Sequence, residues 1–254
     1  MSRYGIKAVT LSIVGEGVRA GTKAVFVTFS GCNLWDGNPL RRDAGAGACA
    51  AWCDADFEKG STMSADDLLG VMDTLWPEAG GRWCLLTGGE PCMQINTELM
   101  RALHDAGWSI AIETNGTEDN DAATDADHIV WSPKLDRHGA PLPLAMPVAH
   151  EVRVVLPGVA PGKPGWSEAQ LLGVERVARD LWPGVPLYVQ PQDPIVSSDL
   201  VAATALVRPT EVAPEVDTYL EGLFEAASSQ CVAWVLANPT WRLASQQRKF
   251  WGLP

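Results

Sequence analysis

The sequence has 254 residues, is 46% hydrophobic, contains six cysteines and carries a formal net charge of −12. A chain of this length and apolar content can bury one full core, and its acidity argues against a broad nucleic-acid-binding surface. It has no run of about 18 apolar residues, and its N-terminus lacks the apolar centre of a signal peptide. We therefore expect a cytoplasmic protein without a membrane span, in which cysteines serve more often as metal ligands or catalytic groups than as disulfides.

The predicted elements alternate between strand and helix along the chain. The apolar run at 24–29 predicts the first strand. Helical spacing of apolar residues, an N-cap at Ser64 and the stop signals Pro77 and Gly107 support helices at 64–76, 97–106, 167–182 and 217–237. Further strands are predicted in the segments WCLL, WSIAIETNG, HIVWSPK, EVRVVLPG and VPLYVQPQD. Such alternation predicts βαβ units and a parallel sheet in a single domain spanning 1–254, with an inserted loop at about 197–214.

Polar residues and glycines follow the ends of the predicted strands. They are Gly31-Cys32, Thr87-Gly88-Gly89-Glu90, Glu113-Thr114-Asn115-Gly116, Ser132-Pro133-Lys134 and Gln190-Pro191. In barrels built from βαβ units, active sites form at the C-terminal ends of the strands. The recurrence of these turns therefore predicts one site at that edge of the sheet.

Three of the six cysteines, Cys32, Cys49 and Cys53, share the stretch at 30–57, which is too polar and too rich in Gly and Ala to be a core segment. Three thiolates could bind zinc together with a fourth ligand, or hold a four-iron cluster with one iron left open. The spacing alone does not decide between the two. Cys84 and Cys231 lie in apolar patterns and are predicted to be core residues, whereas Cys92 could line a pocket.

The sequence around these cysteines resembles the radical S-adenosylmethionine superfamily, because GCNLW after the first strand and TGGEP after a later one occur in order. Within it, the chain resembles the 7-carboxy-7-deazaguanine synthase family, which also has a long gap after its first cysteine. The matching stretches are GEG at 15–17, GCNLW at 31–35, CDADF at 53–57, TGGEP at 87–91, AIETNG at 111–116, SPK at 132–134, EVRVVLPG at 151–158, VQP at 189–191, PTWRL at 239–243 and GLP at 252–254.

The resemblance implies an α/β fold of the partial, TIM-like β/α barrel type, with the cluster-binding loop at 31–57. It implies a [4Fe-4S] cluster on Cys32, Cys49 and Cys53. The residues it implies for S-adenosylmethionine are Trp52, Cys53, Asp54, Gly88, Gly89, Glu90, Glu113, Ser132, Pro133, Lys134, Gln190, Pro191, Gln192 and Asp193. Glu113 and Asn115 could bind the ribose of this cofactor, or could cap a turn. Those it implies for the substrate are Ile13, Val14, Gly15, Glu16, Thr28, Thr87, Arg248 and the terminal carboxylate of Pro254.

The implied reaction converts 6-carboxy-5,6,7,8-tetrahydropterin into 7-carboxy-7-deazaguanine with loss of ammonia, as in queuosine-type biosynthesis. A radical from S-adenosylmethionine abstracts hydrogen, so the cofactor rather than side-chain acids and bases would do the chemistry. The resemblance also implies a flavodoxin- or ferredoxin-type electron donor, a homodimer and Mg²⁺. No nucleic-acid or membrane partner is expected.

The sequence departs from the family pattern at four places. Three residues, Ala50-Ala51-Trp52, separate the last two cysteines where the family has two. Ala55 replaces a threonine magnesium ligand, so Mg²⁺ would need Asp54, Asp56, water or substrate oxygens. Thr28 replaces an arginine that pairs with the substrate carboxylate. Arg248 replaces a histidine, and we hypothesise that it supplies the cation lost at Thr28.

Three other functions remain open at this point. A related radical enzyme could act on a different carboxylated pterin or purine, since the departures fall on the substrate and metal side. An activase that makes glycyl radicals on a partner protein also uses a GCNL-like loop. A zinc-stabilised binding module is the non-enzymatic alternative, and metal analysis would separate it from the others.

Overall fold

The computed structural model describes residues 2–37, 49, 53, 57–78, 80–157, 165–192 and 214–245. In this part of the chain, nine strands form one sheet in the order β3-β1-β2-β4-β5-β6-β7-β8-β9. The strands are β1 Tyr4–Ile13, β2 Lys23–Phe29, β3 Ser61–Met63, β4 Trp83–Gly88, β5 Ser109–Thr114, β6 His128–Trp131, β7 Glu151–Leu156, β8 Leu187–Pro191 and β9 Trp241–Leu243. This open sheet is consistent with an incomplete β/α barrel.

Within the described residues, four α-helices connect or flank these strands, and they confirm the helices predicted from the sequence. They are α1 Ala65–Leu75, α2 Thr97–Asp105, α3 Glu168–Leu181 and α4 Pro214–Ala237. Helices α1 and α3 begin with capping boxes, in which Ser64 and Ser167 exchange hydrogen bonds with Asp67 and Gln170. Within the described residues, no helix is both long and apolar enough to cross a bilayer.

The sheet is mixed rather than wholly parallel, which differs from the sequence prediction. Strands β2 and β4 to β9 run parallel, but β1 pairs antiparallel with both β2 and β3. Strands β1, β3 and β9 were not predicted. The β1–β2 hairpin places the connection at 14–22 at the edge where the parallel strands begin, because Ile13 pairs with Lys23, the first residue of β2. We call residues 14–19 the floor segment.

Alternate side chains divide the sheet into a helix-covered outer face and an inner face. Val27, Leu86 and Ile112 point outward and pack with Leu68 of α1 and Leu103 of α2. A second outer core joins β7 and β8 to α3, α4 and Trp241. The inner face carries a small apolar cluster of Val14, Ala24, Phe26, Leu85 and Ala111. Strand residues at the other positions of this face, such as Thr28, Thr87, Glu113 and Arg153, are polar.

Candidate functional site

The turns at the C-terminal ends of β2, β4, β5 and β6 lie next to one another, as the sequence predicted. We call residues 30–34, 88–92, 114–118 and 132–136 the rim. Gly89 and Glu90 donate backbone hydrogen bonds to the carbonyls of Phe29 and Gly31, over 3.1 and 2.9 Å. Ser132 donates to the carbonyl of Thr114 over 2.8 Å. Backbone groups therefore hold neighbouring strand ends together.

Gly89 lies directly against the start of the cysteine loop. A Cβ atom at this position would overlap the carbonyl of Gly31 and approach the nitrogen of Cys32. Its neighbour Gly88 has φ +112°, a conformation that side chains rarely adopt. The two glycines are needed because the GGE turn and the cysteine loop meet backbone to backbone.

Glu90 is fully buried and connects the GGE turn to the end of β5. Its Oε1 accepts hydrogen bonds from Cys92 N at 3.0 Å and Thr114 Oγ1 at 2.8 Å, and its Oε2 accepts from Asn115 N at 2.8 Å. Burial raises the pKa of this carboxyl, against the opposing effect of the Asn115 and Cys92 amides. Both oxygens are engaged within the chain, so the structure gives Glu90 a supporting role in the rim, and any direct contact with the cofactor stays a prediction.

The rim is also tied together by amides and hydroxyls. Asn115 Nδ2 donates to Asn33 Oδ1 at 3.0 Å, and Asn115 Oδ1 accepts from the Thr117 amide at 2.9 Å. The second contact is the turn cap that the sequence analysis gave as one role for Asn115. Lys134 is half-buried and donates from Nζ to the carbonyl of Ser132 at 2.9 Å, so its side chain folds back onto its own turn.

The first cysteine lies immediately after β2 in this rim. Cys32 Sγ accepts a hydrogen bond from Leu34 N at 3.4 Å. Burial raises the pKa of its thiol, and the charges of Glu90 and Cys49 act in the same direction, whereas the Leu34 and Trp35 amides oppose them. Since a thiol becomes a metal ligand as its thiolate, a bound cation would offset this burial cost.

Cys49, the second of the three loop cysteines, contacts two parts of the rim. Cys49 donates its amide to the carbonyl of Leu34 at 3.4 Å and pairs as an isolated bridge with Asp136, so it lies between the cysteine loop and the turn after β6. All six cysteines are among the described residues, and none forms a disulfide. No group of three His, Cys, Asp or Glu side chains close enough to hold a metal ion occurs in the described part of the chain. Joint ligation by Cys32, Cys49 and Cys53 therefore stays a prediction.

The remaining cysteines are buried. Cys84 lies in the first outer core and Cys231 in the second, which confirms both predictions. Cys92 is also in the first outer core, with 3% of its surface exposed, and burial together with the Glu90 charge raises the pKa of its thiol. The structure thus places Cys92 in the core rather than along a pocket.

Two features, one on β8 and one in the rim, fit a bound cofactor. Gln190 lies on β8, is 4% exposed, and its Oε1 is buried without a hydrogen-bond partner among the described residues. A buried amide oxygen in this state is costly unless something donates to it. Gly88 and Gly89 are half-buried and carry no side chain, so a ligand can approach their backbone closely. The donor set of three cysteines suits an iron–sulfur cluster, so the residues present fit the predicted groups.

Below the rim, four charged side chains gather on the inner face of the sheet. We call Glu16, Glu113, Glu151 and Arg153 the inner charge cluster. Arg153 Nη1 lies 2.7 Å from Glu113 Oε1 and 3.5 Å from Glu16 Oε1, and its Nη2 lies 2.7 Å from Glu151 Oε1. Burial lowers the pKa of the guanidinium, but the carboxylates of Glu113, Glu151 and Glu16 outweigh burial and raise it. With every member ionised, three carboxylates face one guanidinium.

Glu113 belongs to this cluster rather than to the rim. Its Oε2 accepts a hydrogen bond from Thr87 Oγ1 at 2.9 Å, and its Oε1 pairs with Arg153. Thr87 is paired in register with Thr28 of β2, so both predicted substrate residues lie on this inner face. The structure therefore sets Glu113 beside predicted substrate residues, two positions before the turn that holds Asn115.

The floor segment contains three of the other predicted substrate residues. Val14 and Gly15 are buried, and Val14 exchanges backbone hydrogen bonds of 2.8 Å with Thr22 and Gly21. Glu16 precedes a 3₁₀ turn over Gly17–Arg19 and contributes its carboxylate to the inner charge cluster. Ile13 ends β1 directly before this segment. These residues lie at the strand edge opposite the cysteines.

Several predicted residues cannot be placed. Trp52, Asp54, Ala55, Asp193, Arg248, Pro254 and most of the loop at 197–214 lie outside the described residues. The predicted cofactor residues that can be placed at the ends of strands include Pro133, Pro191 and Gln192, and Gln192 donates its amide to the carbonyl of Leu156 at 2.7 Å. The described part of the site thus consists of the rim, the inner charge cluster and the floor segment.

The sequence analysis gave no role to Glu151, Arg153 or His128. Glu151 is fully buried and Arg153 is 6% exposed. A signal was present, because the strand EVRVVL places two opposite charges at alternate positions of an otherwise apolar run. Charges at that spacing point to the same face of the sheet, and they are rarely buried unless paired.

No protein-family model matches this sequence. The chain is 33% identical over 260 residues to the 7-carboxy-7-deazaguanine synthase of Caulobacter vibrioides, with 99% of both chains covered. It is 30% identical over 259 residues to the enzyme of the same name from Bordetella pertussis, again with 99% of both chains covered. Its fold is similar to the crystal structure of QueE from Escherichia coli, with a TM-score of 0.61, 22% sequence identity, and coverage of 96% of this chain and 94% of that chain.

Proposed function

Because the chain belongs to the 7-carboxy-7-deazaguanine synthase family, we propose that it is a radical S-adenosylmethionine lyase that forms 7-carboxy-7-deazaguanine from 6-carboxy-5,6,7,8-tetrahydropterin. The observation on which this rests is the identity of 33% over 99% of both chains. The arrangement of the site supports it, since a glycine-lined rim beside Cys32 lies above a polar inner face.

In this proposal the rim binds the cofactors together with Cys49, Cys53 and Gln190, which lie outside it in sequence. Cys32, Cys49 and Cys53 would hold a [4Fe-4S] cluster, and Gly89, Ser132, Lys134 and Gln190 would contact S-adenosylmethionine. When bound, these groups supply the 5′-deoxyadenosyl radical that removes a hydrogen atom from the substrate. The buried Gln190 Oε1 would accept a hydrogen bond from the cofactor, which satisfies an atom that otherwise has no partner among the described residues.

The inner face binds and orients the substrate in this proposal. Carboxylates such as Glu16 suit the N–H groups along the pyrimidine edge of a pterin, because ionised carboxylates only accept hydrogen bonds. Val14 and Gly15, the buried part of the floor segment, exclude water from that end of the site, which strengthens the polar contacts around the substrate. Thr28 can offer only a hydroxyl to the substrate carboxylate. We propose that Arg248 supplies the missing cation, and Arg248→Ala should then raise the substrate KM about tenfold or more.

Anaerobic reconstitution with iron and sulfide tests the function directly. The reduced protein is incubated with S-adenosylmethionine and 6-carboxy-5,6,7,8-tetrahydropterin, with and without Mg²⁺, and the products are separated by chromatography. We expect 5′-deoxyadenosine and 7-carboxy-7-deazaguanine. If 5′-deoxyadenosine forms without the deazaguanine, the substrate is a different one. If neither product forms and the protein contains zinc without iron, the radical function is wrong.

The partners follow from the same chemistry. The conversion to 7-carboxy-7-deazaguanine and ammonia is redox-neutral, but an electron must reach the cluster to begin the cleavage of S-adenosylmethionine. We therefore propose a flavodoxin- or ferredoxin-type donor, and, from the family resemblance, a homodimer as the assembly. Replacing the chemical reductant with a reduced flavodoxin tests the first point, and light scattering of the reconstituted protein tests the second. The side chain of Ala55 has no oxygen to offer a metal ion. We therefore expect Mg²⁺ to stimulate product formation less in the wild-type protein than in an Ala55→Thr variant.

A further inference from the structure

Two charged residues lie side by side on the inner face of β7 and have no role in the proposed function so far. Glu151 and Arg153 occupy alternate positions of this strand, and the carboxylate accepts hydrogen bonds from Arg153 Nε at 3.0 Å and Nη2 at 2.7 Å. Glu151 is fully buried and Arg153 is 6% exposed. Breaking a buried pair of this kind leaves an uncompensated charge, so the two side chains hold one geometry.

Glu151 reaches from this pair to the floor segment. Its Oε2 accepts a hydrogen bond from Val18 N at 2.9 Å, a contact that joins residues 133 positions apart in sequence. His128 Nε2 lies 3.4 Å from the same oxygen. Gly17 has φ +71°, and a Cβ atom there would overlap the Glu151 carboxylate. The floor backbone therefore rests directly on this side chain.

Arg153 reaches from the pair to the opposite part of the inner face. Its Nη1 contacts Glu113 of β5 at 2.7 Å, and Glu113 accepts the hydroxyl hydrogen bond of Thr87 on β4. The same nitrogen lies 3.5 Å from Glu16, at the start of the 3₁₀ turn. One guanidinium thus touches groups from two strands and from the floor segment.

We propose that Glu151 and Arg153 are positioning residues that fix the floor segment in register with Thr87 and Glu113. This inference rests on the proposed function, because Gly15, Glu16 and Thr87 are the residues expected to contact the substrate there. Neither member of the pair needs to touch the substrate. A displacement of about 1 Å between two sets of substrate contacts can cost about 100-fold in rate, so their relative placement matters as much as their identity.

The test compares Glu151→Gln with Glu175→Gln. Glu175 is a matched control, since it is also a largely buried carboxylate, and on α3 it accepts hydrogen bonds from Arg179 and from Thr240 and Trp241 at the β9 edge of the sheet. The first readout is hydrogen exchange of the amides at 14–19 in the reconstituted protein without substrate. We expect exchange about tenfold faster in Glu151→Gln and unchanged in Glu175→Gln, because only the former weakens a charge-assisted bond to the floor.

The second readout is the kinetics with substrate. Glu151→Gln should raise the substrate KM about tenfold and raise the ratio of 5′-deoxyadenosine to deazaguanine product, while the affinity for S-adenosylmethionine is retained. Gly17→Ala is a second variant that moves the floor without altering any charge on β7, and it should have the same two effects. It keeps the proposal testable if Glu151→Gln does not fold.

Each outcome has a clear meaning. Unchanged hydrogen exchange at 14–19 in both Glu151→Gln and Gly17→Ala would overturn the inference. Equally fast exchange in Glu175→Gln would also overturn it, because it would indicate general loosening of the fold. Faster floor exchange with an unchanged substrate KM would also overturn it, since the floor would not matter for substrate binding. The exchange experiment needs no substrate. A wild-type protein that is inactive on the pterin would therefore contradict the proposed function, while the exchange result would still test the contact between Glu151 and the floor segment.

Discussion

The two ends of the candidate site are built in different ways. The rim, at the C-terminal strand ends, is held by backbone hydrogen bonds, glycines and neutral side chains around Glu90. The floor segment and the inner face below the rim are held by ion pairs that meet at Arg153. The geometry of the predicted cofactor end therefore depends on the course of the backbone, whereas the geometry of the predicted substrate end depends on ion pairs.

This difference has an energetic consequence. Contacts in the rim are short-ranged: the backbone contacts require that no Cβ intrudes at Gly89, and the side chain of Glu90 adds hydrogen bonds from neutral donors. A buried ionic cluster responds strongly when a single partner is removed, because the remaining charge is stranded. Substitutions should therefore affect the two ends separately.

Cys32→Ala should have the largest effect and should be confined to the rim. We expect iron binding to fall and 5′-deoxyadenosine formation to drop at least about 100-fold, because the loss of one thiolate exposes an iron of the cluster. Iron and sulfide analysis with chromatography of the products measures both. Cys231→Ala is the matched control, since Cys231 is buried in an outer core, and it should retain cluster and activity. Equal losses in the two variants would contradict the assignment of Cys32.

Glu90→Gln should weaken the rim while leaving the floor in place. Both carboxylate oxygens accept from backbone N–H groups, so the amide nitrogen of Gln would face a donor, which costs about 1 to 3 kcal/mol of unfolding free energy. Urea denaturation measures this loss, and titration with S-adenosylmethionine should show an affinity about tenfold lower. Faster hydrogen exchange at 14–19 in this variant would mean that rim and floor are not independent.

A pair of threonine variants sharpens the comparison. Thr87→Val removes the hydroxyl that donates to Glu113 on the inner face, whereas Thr114→Val removes the one that donates to Glu90 in the rim. Each should cost about 1 kcal/mol of stability. Steady-state kinetics should then show a several-fold higher substrate KM for Thr87→Val alone, and a several-fold weaker affinity for S-adenosylmethionine for Thr114→Val alone. The reverse pattern would contradict the separation.

The smallest effect concerns pH and lies away from both ends of the site. Burial would raise the pKa of the Glu175 carboxyl, but hydrogen bonds from Trp241, Arg179 and Thr240 outweigh it and lower the pKa below its usual 4.5. A lowered folded-state pKa stabilises the fold above about pH 4.5, and this contribution is lost as the pH falls through the folded-state value. The difference in urea midpoint between wild type and Glu175→Gln should therefore shrink on acidification from pH 6. A constant difference would contradict this role.

Local features explain why much of the fold could be predicted. Helices α1 and α3 can be recognised in the sequence by their capping boxes and apolar spacing. The strand-end turns can be recognised by their glycines and polar residues. Strand β1 was missed because YGIKAVTLSI mixes apolar and polar residues, and its antiparallel pairing with β2 depends on a partner rather than on its own pattern.

The candidate site divides in the same way. Turn residues such as Gly89 and Ser132 lie within short motifs, so they could be predicted from the sequence. The contact of Glu151 with Val18 joins residues 133 positions apart, and that of Arg153 with Glu113 joins residues 40 apart. Nothing local identifies such partners, because they meet only when the hairpin and the sheet have formed. The Glu151–Arg153 pair is therefore the part of the substrate end that required the structure, whereas Glu16 and Glu113 were already among the predicted site residues.

At the contact between Gly89 and Gly31, the chain segments that follow β4 and β2 touch through their backbones, with no room for a side chain between them. No intermediate size is available at this position, since even the methyl group of alanine would have to part β4 from β2. A library of all twenty amino acids at position 89 should accordingly return a single permitted residue rather than a graded series.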